Sequence, residues 1–295
     1  INDQEAASIL FDACYNWLKE KGMEAMDGPI NFGERDVFWG CLVDGFHEPI
    51  YNMPYNFPYY KDLFETYGFR NYFNQYTYHH RINREGLSPI IKEKAERVFK
   101  NPDYSFEMIG WKNIDKYAED FMVIFNQAWT RFAGVPKISK AHALALLNQM
   151  KPTLDTRLVY FAYYKDEPVA FFIMIPDIFQ IFKKFNGKLN WFNKLRFIFE
   201  FKYRKSINRI IGRIFGIVPE HQGKGLEGGL IMAFEKQALA PGFPYTDLEL
   251  NWIGDFNPAM MKVCEQIGAN IYKTHVTYRY LFDRNKPFER ARTVS

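Results

Sequence analysis

The most informative stretch of the chain covers residues 214–237 and reads IFGIVPEHQGKGLEGGLIMAFEKQ. A β-rich run ends at Pro219, a glycine-rich turn follows from Gln222 to Gly225, and a helical pattern begins at once. The first N–H groups of such a helix have no partner within it, and the helix dipole favours a negative charge beside them. Glycine lets a ligand approach the backbone closely, and Lys224 adds a positive charge. The pattern predicts a phosphate-binding loop, with a plain tight turn as the alternative.

The loop resembles the acyl-CoA signature of the GNAT superfamily of N-acyltransferases, in which Gln/Arg-x-x-Gly-x-Gly/Ala follows a strand. Gln222 takes the first position of that signature and Gly225 takes the first glycine. The last position holds Glu227, whose carboxylate would repel a diphosphate unless it points away from the ligand. Gly228 and Gly229 are expected to restore close approach one residue later.

The sequence downstream adds to the resemblance. Family members continue with a strand and then a helix that begins at Asn and closes with Gly-Phe, and here Asn257 precedes such a helix and Gly268 closes it. Cys264 stands where the family often has a tyrosine that protonates the leaving CoA thiolate, and Ala269 replaces the usual Phe. The resemblance implies an α+β fold with a mixed sheet, the GNAT acyl-CoA N-acyltransferase fold, across residues 104–282.

The front of the chain resembles the end of such a domain. Residues 57–69, FPYYKDLFETYGF, predict a helix that closes in Gly68 and is followed by an aromatic strand. No glycine loop precedes this helix, so the resemblance implies a tandem GNAT-like protein with an incomplete first domain. The N-terminus, which lacks an initiator Met, is expected to be processed or truncated. The predicted organisation is a partial domain at 1–83, a linker with a helix at 84–103, a complete acyl-CoA-binding domain at 104–285 and a tail at 286–295.

Hydrophobic periodicity and turn residues predict the remaining elements. Helices are expected at 5–20, 58–67, 89–100, 115–129, 140–150, 228–240 and 258–267. Strands are expected at 72–80, 105–111, 158–164, 169–175, 207–218, 245–252 and 270–282.

Acyl transfer to an amine requires a neutral nucleophile, and a general base helps to provide one. The candidate bases are Glu220, His221 and Glu249. Glu249 lies in a largely apolar strand, where a carboxylate holds a proton more readily, although an ion-paired strand carboxylate is the alternative. Cys264 is a candidate proton donor, against a small buried helix residue. By the resemblance, acetyl-CoA or another acyl-CoA would contact Ile217, Val218, Gln222, Gly223, Lys224, Gly225, Leu226, Glu227, Gly228 and Asn257, with its pantetheine arm pairing along Ile217 and Val218.

Composition sets broad limits on the function. The 29 Phe and 19 Tyr indicate an aromatic core or an aromatic-lined pocket. The three cysteines are unclustered, which predicts a reducing cytoplasm and neither a disulfide framework nor a metal site. A net charge of +4 gives no strong signal for nucleic acid. No apolar run is long enough for a transmembrane helix.

A basic and aromatic segment, residues 181–209, interrupts the predicted domain, and Glu200 is its only acidic residue. Three interpretations stay open at this point. The segment is a solvated helical excursion, or it walls a substrate pocket, or residues 182–205 contact an anionic membrane or nucleic acid.

These observations predict an acyl-CoA-dependent N-acyltransferase that transfers an acetyl group directly to an unidentified small-molecule or peptide amine. One alternative is a binding protein that kept the GNAT fold and lost catalysis, as Glu227, Cys264 and Ala269 suggest. Another is a FemABX-like aminoacyl transferase, for which the small net charge gives little support.

Overall fold

The computed structural model describes residues 1–30, 40–83, 87–130 and 135–293. The predicted helices and strands are present in the predicted order, and further elements occur at Ala25–Gly28, Cys41–Asp44, Phe179–Phe182 and Trp191–Lys202. The helices are α1 (Gln4–Glu20), α2 (Tyr60–Tyr67), α3 (Pro89–Phe99), α4 (Ile114–Ala128), α5 (Lys140–Met150), α6 (Phe179–Phe182), α7 (Trp191–Lys202), α8 (Leu226–Ala238) and α9 (Pro258–Gln266). The strands are β1 (Ala25–Gly28), β2 (Cys41–Asp44), β3 (Arg70–Arg81), β4 (Tyr104–Met108), β5 (Val159–Tyr164), β6 (Glu167–Pro176), β7 (Arg209–Ile217), β8 (Asp247–Gly254) and β9 (Asn270–Leu281).

Local signals in the sequence explain several element boundaries. The Ser88 hydroxyl accepts a hydrogen bond from the Ile91 N–H, and Pro89 occupies the first turn of α3, as the sequence predicts. The β5–β6 hairpin turns at Lys165 and Asp166, which have φ values of 50° and 67°. Positive φ at both turn residues matches the right-handed twist of the paired strands.

The chain forms two compact units. The first consists of the described residues of 1–78, 251–262 and 270–295, and the second consists of those of 79–250 and 263–269. This division differs from the predicted linear boundaries, because α3 belongs to the second unit and β9 to the first. The reason is strand pairing between residues far apart in sequence, which a pass along the chain does not reveal.

In the first unit, β9 pairs antiparallel with β1, from Ala25↔Leu281 to Gly28↔Tyr278, and with β2 through Cys41↔Val276. Aromatic rings from α1, α2 and these strands form its core. Phe11 and Phe64 lie 4.9 Å apart between ring centroids, and Phe64 stacks on Tyr278 at 5.3 Å. The buried members of this core are Met26, Cys41, Phe64, Phe69, Val276 and Tyr278.

In the second unit, the strand order is β8-β7-β6-β5-β4. The pairs β4–β5, β5–β6 and β6–β7 are antiparallel, whereas β7–β8 is parallel. Helix α4 covers one face, where Phe121 contacts Phe171 with ring centroids 5.0 Å apart. Helix α8 packs against α3 and β5. The predicted α+β architecture with a mixed sheet is therefore confirmed.

Candidate functional site

Strand β7 changes its pairing halfway along its length. Its parallel pairing with β8 covers residues 209–212. On the other side, the register with β6 shifts between Ile173 and Met174, which leaves Arg213 as an extra residue. Such a β-bulge bends a strand and often ends a ladder beside a functional site. In the described pairings, residues 214–217 pair with β6 alone, so the opposite edge of this segment is left for another partner.

The backbone groups at the end of β7 differ in their availability. The Val218 N–H donates to the Val169 carbonyl at 2.9 Å, and the Val218 carbonyl accepts from the His221 N–H at 3.0 Å. Because antiparallel residues alternate in direction, Ile217 points its N–H and carbonyl away from β6. The Ile217 carbonyl accepts from Gln222 Nε2 at 3.0 Å. The predicted pairing of a pantetheine arm thus fits the edge at Ile217, whereas both backbone groups of Val218 are already used.

The predicted phosphate loop is exposed over Gln222, Gly223 and Lys224. Gly223 and Gly225 have φ values of +73° and +93°, a region in which L side chains are strained. Gly225 precedes α8 and no side chain caps the helix start, so its first N–H groups lack that partner. In the described part of the chain, Lys224 has no salt-bridge partner. This corner therefore offers a positive charge and helix-start N–H groups to an anionic ligand.

Three glycines near the start of α8 have a packing role that the sequence does not reveal. A Cβ atom on Gly225 would lie 3.2 Å from the Lys94 carbonyl oxygen, and one on Gly228 would lie 2.9 Å from the Ile91 carbonyl oxygen. A Cβ atom on Gly229 would clash with the Phe106 ring. Glycine is therefore required because α8 lies close to α3 and β4. Since these glycines pack against α3 and β4, only residues 222–224 and the adjoining backbone amides of the loop remain to face a ligand.

Glu227, the departure from the family signature, points toward α3. Its Oε1 atom accepts a hydrogen bond from Lys94 Nζ at 2.8 Å, and its side chain is largely buried. A cation on a neighbouring helix thus offsets the carboxylate charge that would otherwise repel a diphosphate.

His221, one of the candidate bases, is buried. Its Nδ1 atom shares a hydrogen bond with Tyr104 Oη at 2.8 Å, and its ring packs against Tyr104 and Tyr164. Burial lowers the pKa of the imidazole, and the charge of Lys224 lowers it further. The ring is therefore neutral near pH 7, and its hydrogen-bonding partner is Tyr104.

Glu249, the favoured candidate base, is fully buried and ion-paired. Its Oε1 atom accepts from Arg209 Nη1 at 3.0 Å, and the same guanidinium donates to Asp177 Oδ2 at 2.7 Å. The alternative interpretation, an ion-paired strand carboxylate, describes this geometry. A carboxylate held in this way has no path to an acceptor amine.

The other sequence-predicted residues have three different environments. Glu220 is exposed in the short 3₁₀ turn Pro219–His221. Cys264 is fully buried, and burial raises the pKa of its thiol to about 12, which makes it a poor proton donor at neutral pH. The Asn257 side chain caps α9, because its Oδ1 atom accepts from the Met260 N–H at 3.2 Å.

Sequence reasoning missed a group of buried polar side chains in the first unit. Gln75 Oε1 accepts from Thr277 Oγ1 at 2.9 Å. In the described part of the chain, Gln75 Nε2, Thr77 Oγ1 and both side-chain polar atoms of Asn251 have no hydrogen-bond partner. A buried polar group without a partner costs about 1–3 kcal/mol, so such groups often bind water or a ligand. The alternating pattern of β3 gives no signal for this, since polar residues also alternate on solvated strands.

The second unit contains a cavity of about 290 Å³. The end of the basic and aromatic segment contributes Phe201, Lys202 and Lys205 to its lining, in agreement with the interpretation that the segment walls a pocket. The lining also includes Arg157, which forms a salt bridge of 2.6 Å with Asp155. Across residues 1–30, 40–83, 87–130 and 135–293, no group of three or more His, Cys, Asp or Glu side chains is arranged to hold a metal ion.

The chain is similar to known proteins in sequence and in fold. No protein-family model matches the sequence. The chain is 25% identical to Protein YghO of Escherichia coli (strain K12), over 94% of its own length and 71% of that protein. It is 23% identical to the Bacterial ceramide synthase of Caulobacter vibrioides (strain NA1000 / CB15N), over 94% of its own length and 72% of that protein.

Among solved structures, the chain resembles the GCN5-related glucosamine N-acetyltransferase region of a fungal multi-domain GH3 β-N-acetylglucosaminidase. The TM-score is 0.51 at 12% identity, and the match covers 92% of this chain and 27% of the fungal one. At this identity the likeness establishes the fold rather than the reaction. The chain therefore has the GNAT fold, with its mixed sheet and its order of elements.

Proposed function

We propose that this protein is an acyl-CoA-dependent N-acyltransferase. The main support for the proposal is that a free strand edge and a cationic loop follow each other closely within the second unit. The edge of β7 that does not pair with β8 ends at Ile217. The exposed, cationic loop at residues 222–224 follows a few residues later. A bound acyl-CoA would supply the activated acyl group as a thioester.

The residues of the chain would divide the work of binding. The N–H of Ile217 would pair with the pantetheine arm, and Gly223, Lys224 and the first amides of α8 would hold the phosphates. Gln222 would support the turn through its bond to the Ile217 carbonyl. Glu220 remains a candidate base because it is the exposed carboxylate beside this loop.

The acceptor would be an amine. The sequence predicts acetyl transfer, but the name of the Caulobacter relative denotes synthesis of ceramide, which is an N-acylated lipid. That name favours a lipophilic amine and a longer acyl chain. We therefore include long-chain substrates in the test.

Binding would be measured first, by thermal shift with CoA, acetyl-CoA and palmitoyl-CoA. A ligand at a hundred times its dissociation constant stabilises a protein by about 2.7 kcal/mol. Lys224→Ala should weaken CoA binding about tenfold or more, since it removes a charged contact to phosphate. Lys236→Ala, at the exposed far end of the same helix, is the matched control and should leave binding unchanged. The absence of any shift at millimolar CoA would rule out the proposal.

Turnover would be measured as thiol release from each acyl-CoA in the presence of short primary amines and long-chain amino alcohols. A second candidate function, a GNAT-fold protein that binds CoA without catalysis, has a specific observation in its favour. Glu249 forms a buried ion pair with Arg209, so it cannot act as a base. The pKa of Cys264 is raised to about 12, so it is a poor proton donor. Stabilisation by CoA without thiol release for any amine would favour this second function.

A further inference from the structure

Helix α7 presents an apolar face to solvent. Trp191 is 72% exposed, Phe192 is 63% exposed, and Tyr203, just past the helix, is 75% exposed. With the exposed Leu195, Ile198 and Phe199 between them, these residues follow one another at spacings of three and four, so they share one face. A soluble helix normally buries this face. The exposed apolar residues of the segment are Leu189, Trp191, Phe192, Leu195, Ile198, Phe199 and Tyr203.

The opposite face of α7 holds the helix on its own unit. Glu200 is buried there, and its carboxylate binds Lys184 Nζ at 2.9 Å and Ser206 Oγ at 2.6 Å. The Ser206 hydroxyl and Lys184 lower the pKa of Glu200 to about 2. Phe197 stacks on Phe182 with ring centroids 5.0 Å apart. The orientation of the helix is therefore fixed, and its outward apolar face is part of the folded state.

The charge around this face is strongly positive. Glu200 is the only acidic residue between 183 and 205. Arg196 and Arg204 lie within 4 Å of its carboxylate, at 3.6 and 3.8 Å. In the described part of the chain, four lysines of the segment have no salt-bridge partner. These lysines are Lys188, Lys194, Lys202 and Lys205.

We propose that the outward face of α7, defined by Trp191, Phe192, Leu195, Ile198, Phe199 and Tyr203, docks on the surface of an anionic lipid bilayer. Aromatic and aliphatic side chains flanked by lysine and arginine are suited to the boundary between acyl chains and headgroups. The helix would lie on the membrane. No helix in the described ranges is long and apolar enough to cross it.

Charge argues against a second copy of the chain as the occupant of this face. A two-fold interface places the same patch on both partners, so two strongly basic segments would oppose each other. Anionic headgroups instead complement the lysines, each of which adds about fivefold to the affinity near such a surface.

Docking would also give the cavity a defined position. Lys202 and Lys205 belong to the basic segment and line the cavity at the end of α7. The cavity would then lie close to the headgroup layer, because it shares Lys202 with the docked helix.

The test is co-sedimentation of the full chain with vesicles of phosphatidylcholine alone and of phosphatidylcholine with about a third phosphatidylglycerol. We expect binding to the anionic vesicles that weakens steeply as salt is raised, and little binding to the neutral ones. The triple variant Lys188→Gln, Lys194→Gln, Lys202→Gln should lose about a hundredfold in affinity. The triple variant Trp191→Ser, Phe192→Ser, Phe199→Ser should lose about tenfold or more, because it removes the inserted apolar area.

Each variant has a matched control on another surface. Lys61→Gln, Lys100→Gln and Lys262→Gln make the same change of charge at exposed positions. Leu10→Ser and Trp17→Ser remove exposed apolar side chains from α1, whose exposed face also carries acidic residues. Controls should bind like the wild type, and circular dichroism should show that all variants are folded. The proposal would be overturned by equal binding to both vesicle types, by no binding at low salt, or by a dimer in solution that the aromatic variant dissociates.

Discussion

Lys94 on α3 donates a hydrogen bond of 2.8 Å to Glu227 in the first turn of α8. Glu227 occupies the one position of the loop that departs from the GNAT signature. The pair explains how a carboxylate is tolerated there, because the ammonium offsets its charge while both helices pack closely. Under the proposed function, the affinity for a phosphate ligand would depend on Lys94, a residue 133 positions away from Glu227 in the sequence.

The first prediction concerns this pair. Lys94→Met should lower the free energy of unfolding by about 1–3 kcal/mol, because it leaves a largely buried carboxylate unpaired. Glu227→Gln in the same chain should recover part of the loss, and urea denaturation of the four proteins of this double-mutant cycle measures the coupling. Lys92→Met, on the exposed side of α3, should change stability by less than about 0.5 kcal/mol. Strict additivity of the two changes would contradict the pairing.

Local sequence signals explain the parts of the structure that were predicted correctly. Ser88 and Pro89 define the start of α3 through groups within a few residues of each other, and the hairpin turn at Lys165 and Asp166 is equally local. The role of α3 could not be predicted, because it depends on Lys94 meeting α8. For the same reason, Gly228 was assigned to a ligand although it contacts α3.

The candidate site also has a part that local sequence predicts and a part that depends on tertiary packing. The glycine loop and the end of β7 follow from a contiguous pattern, which the sequence displays. The burial of Glu249 depends on Arg209, which lies on the neighbouring strand and is itself held by Asp177. Tertiary packing decides such side-chain partners, and the sequence does not show it. From the sequence, Glu249 in a largely apolar strand was therefore predicted to be a catalytic base.

The second prediction separates structure from catalysis at Glu249. Glu249→Gln should lower the free energy of unfolding by about 3 kcal/mol, because the Arg209 guanidinium loses a buried charged partner. Turnover per folded molecule should stay within about twofold, since the carboxylate is not accessible to substrate. Exposed Glu220→Gln should leave stability unchanged, so denaturation curves and initial rates together distinguish the two roles. A hundredfold loss of turnover in a stable Glu249→Gln protein would restore it as the base.

The third prediction concerns pH. Burial lowers the pKa of His275 to about 4, although its Nε2 lies 3.2 Å from the Pro54 carbonyl oxygen. The folded pKa is below the unfolded value of about 6.5, so the unfolded state binds more protons in the interval between them. Stability is therefore full above about pH 6.5 and falls by about 3 kcal/mol as the pH drops toward 4. Urea denaturation at pH 7 and 5 measures this loss. In His275→Gln the free energy of unfolding should depend less on pH. An unchanged pH dependence in that variant would assign the loss to other groups.

The fourth prediction compares two threonines in the buried polar group of the first unit. Thr77 Oγ1 has no hydrogen-bond partner in the described part of the chain, whereas Thr277 Oγ1 donates to Gln75 at 2.9 Å. Thr77→Val should raise the free energy of unfolding by about 1 kcal/mol, because a methyl group replaces an unsatisfied hydroxyl of similar size. Thr277→Val should lower it by about the same amount, since Gln75 loses its donor. Thermal or urea denaturation of both variants gives the sign directly. If Thr77→Val proves destabilising, its hydroxyl must have a partner such as an ordered water, and the polar group would then be a hydrated site.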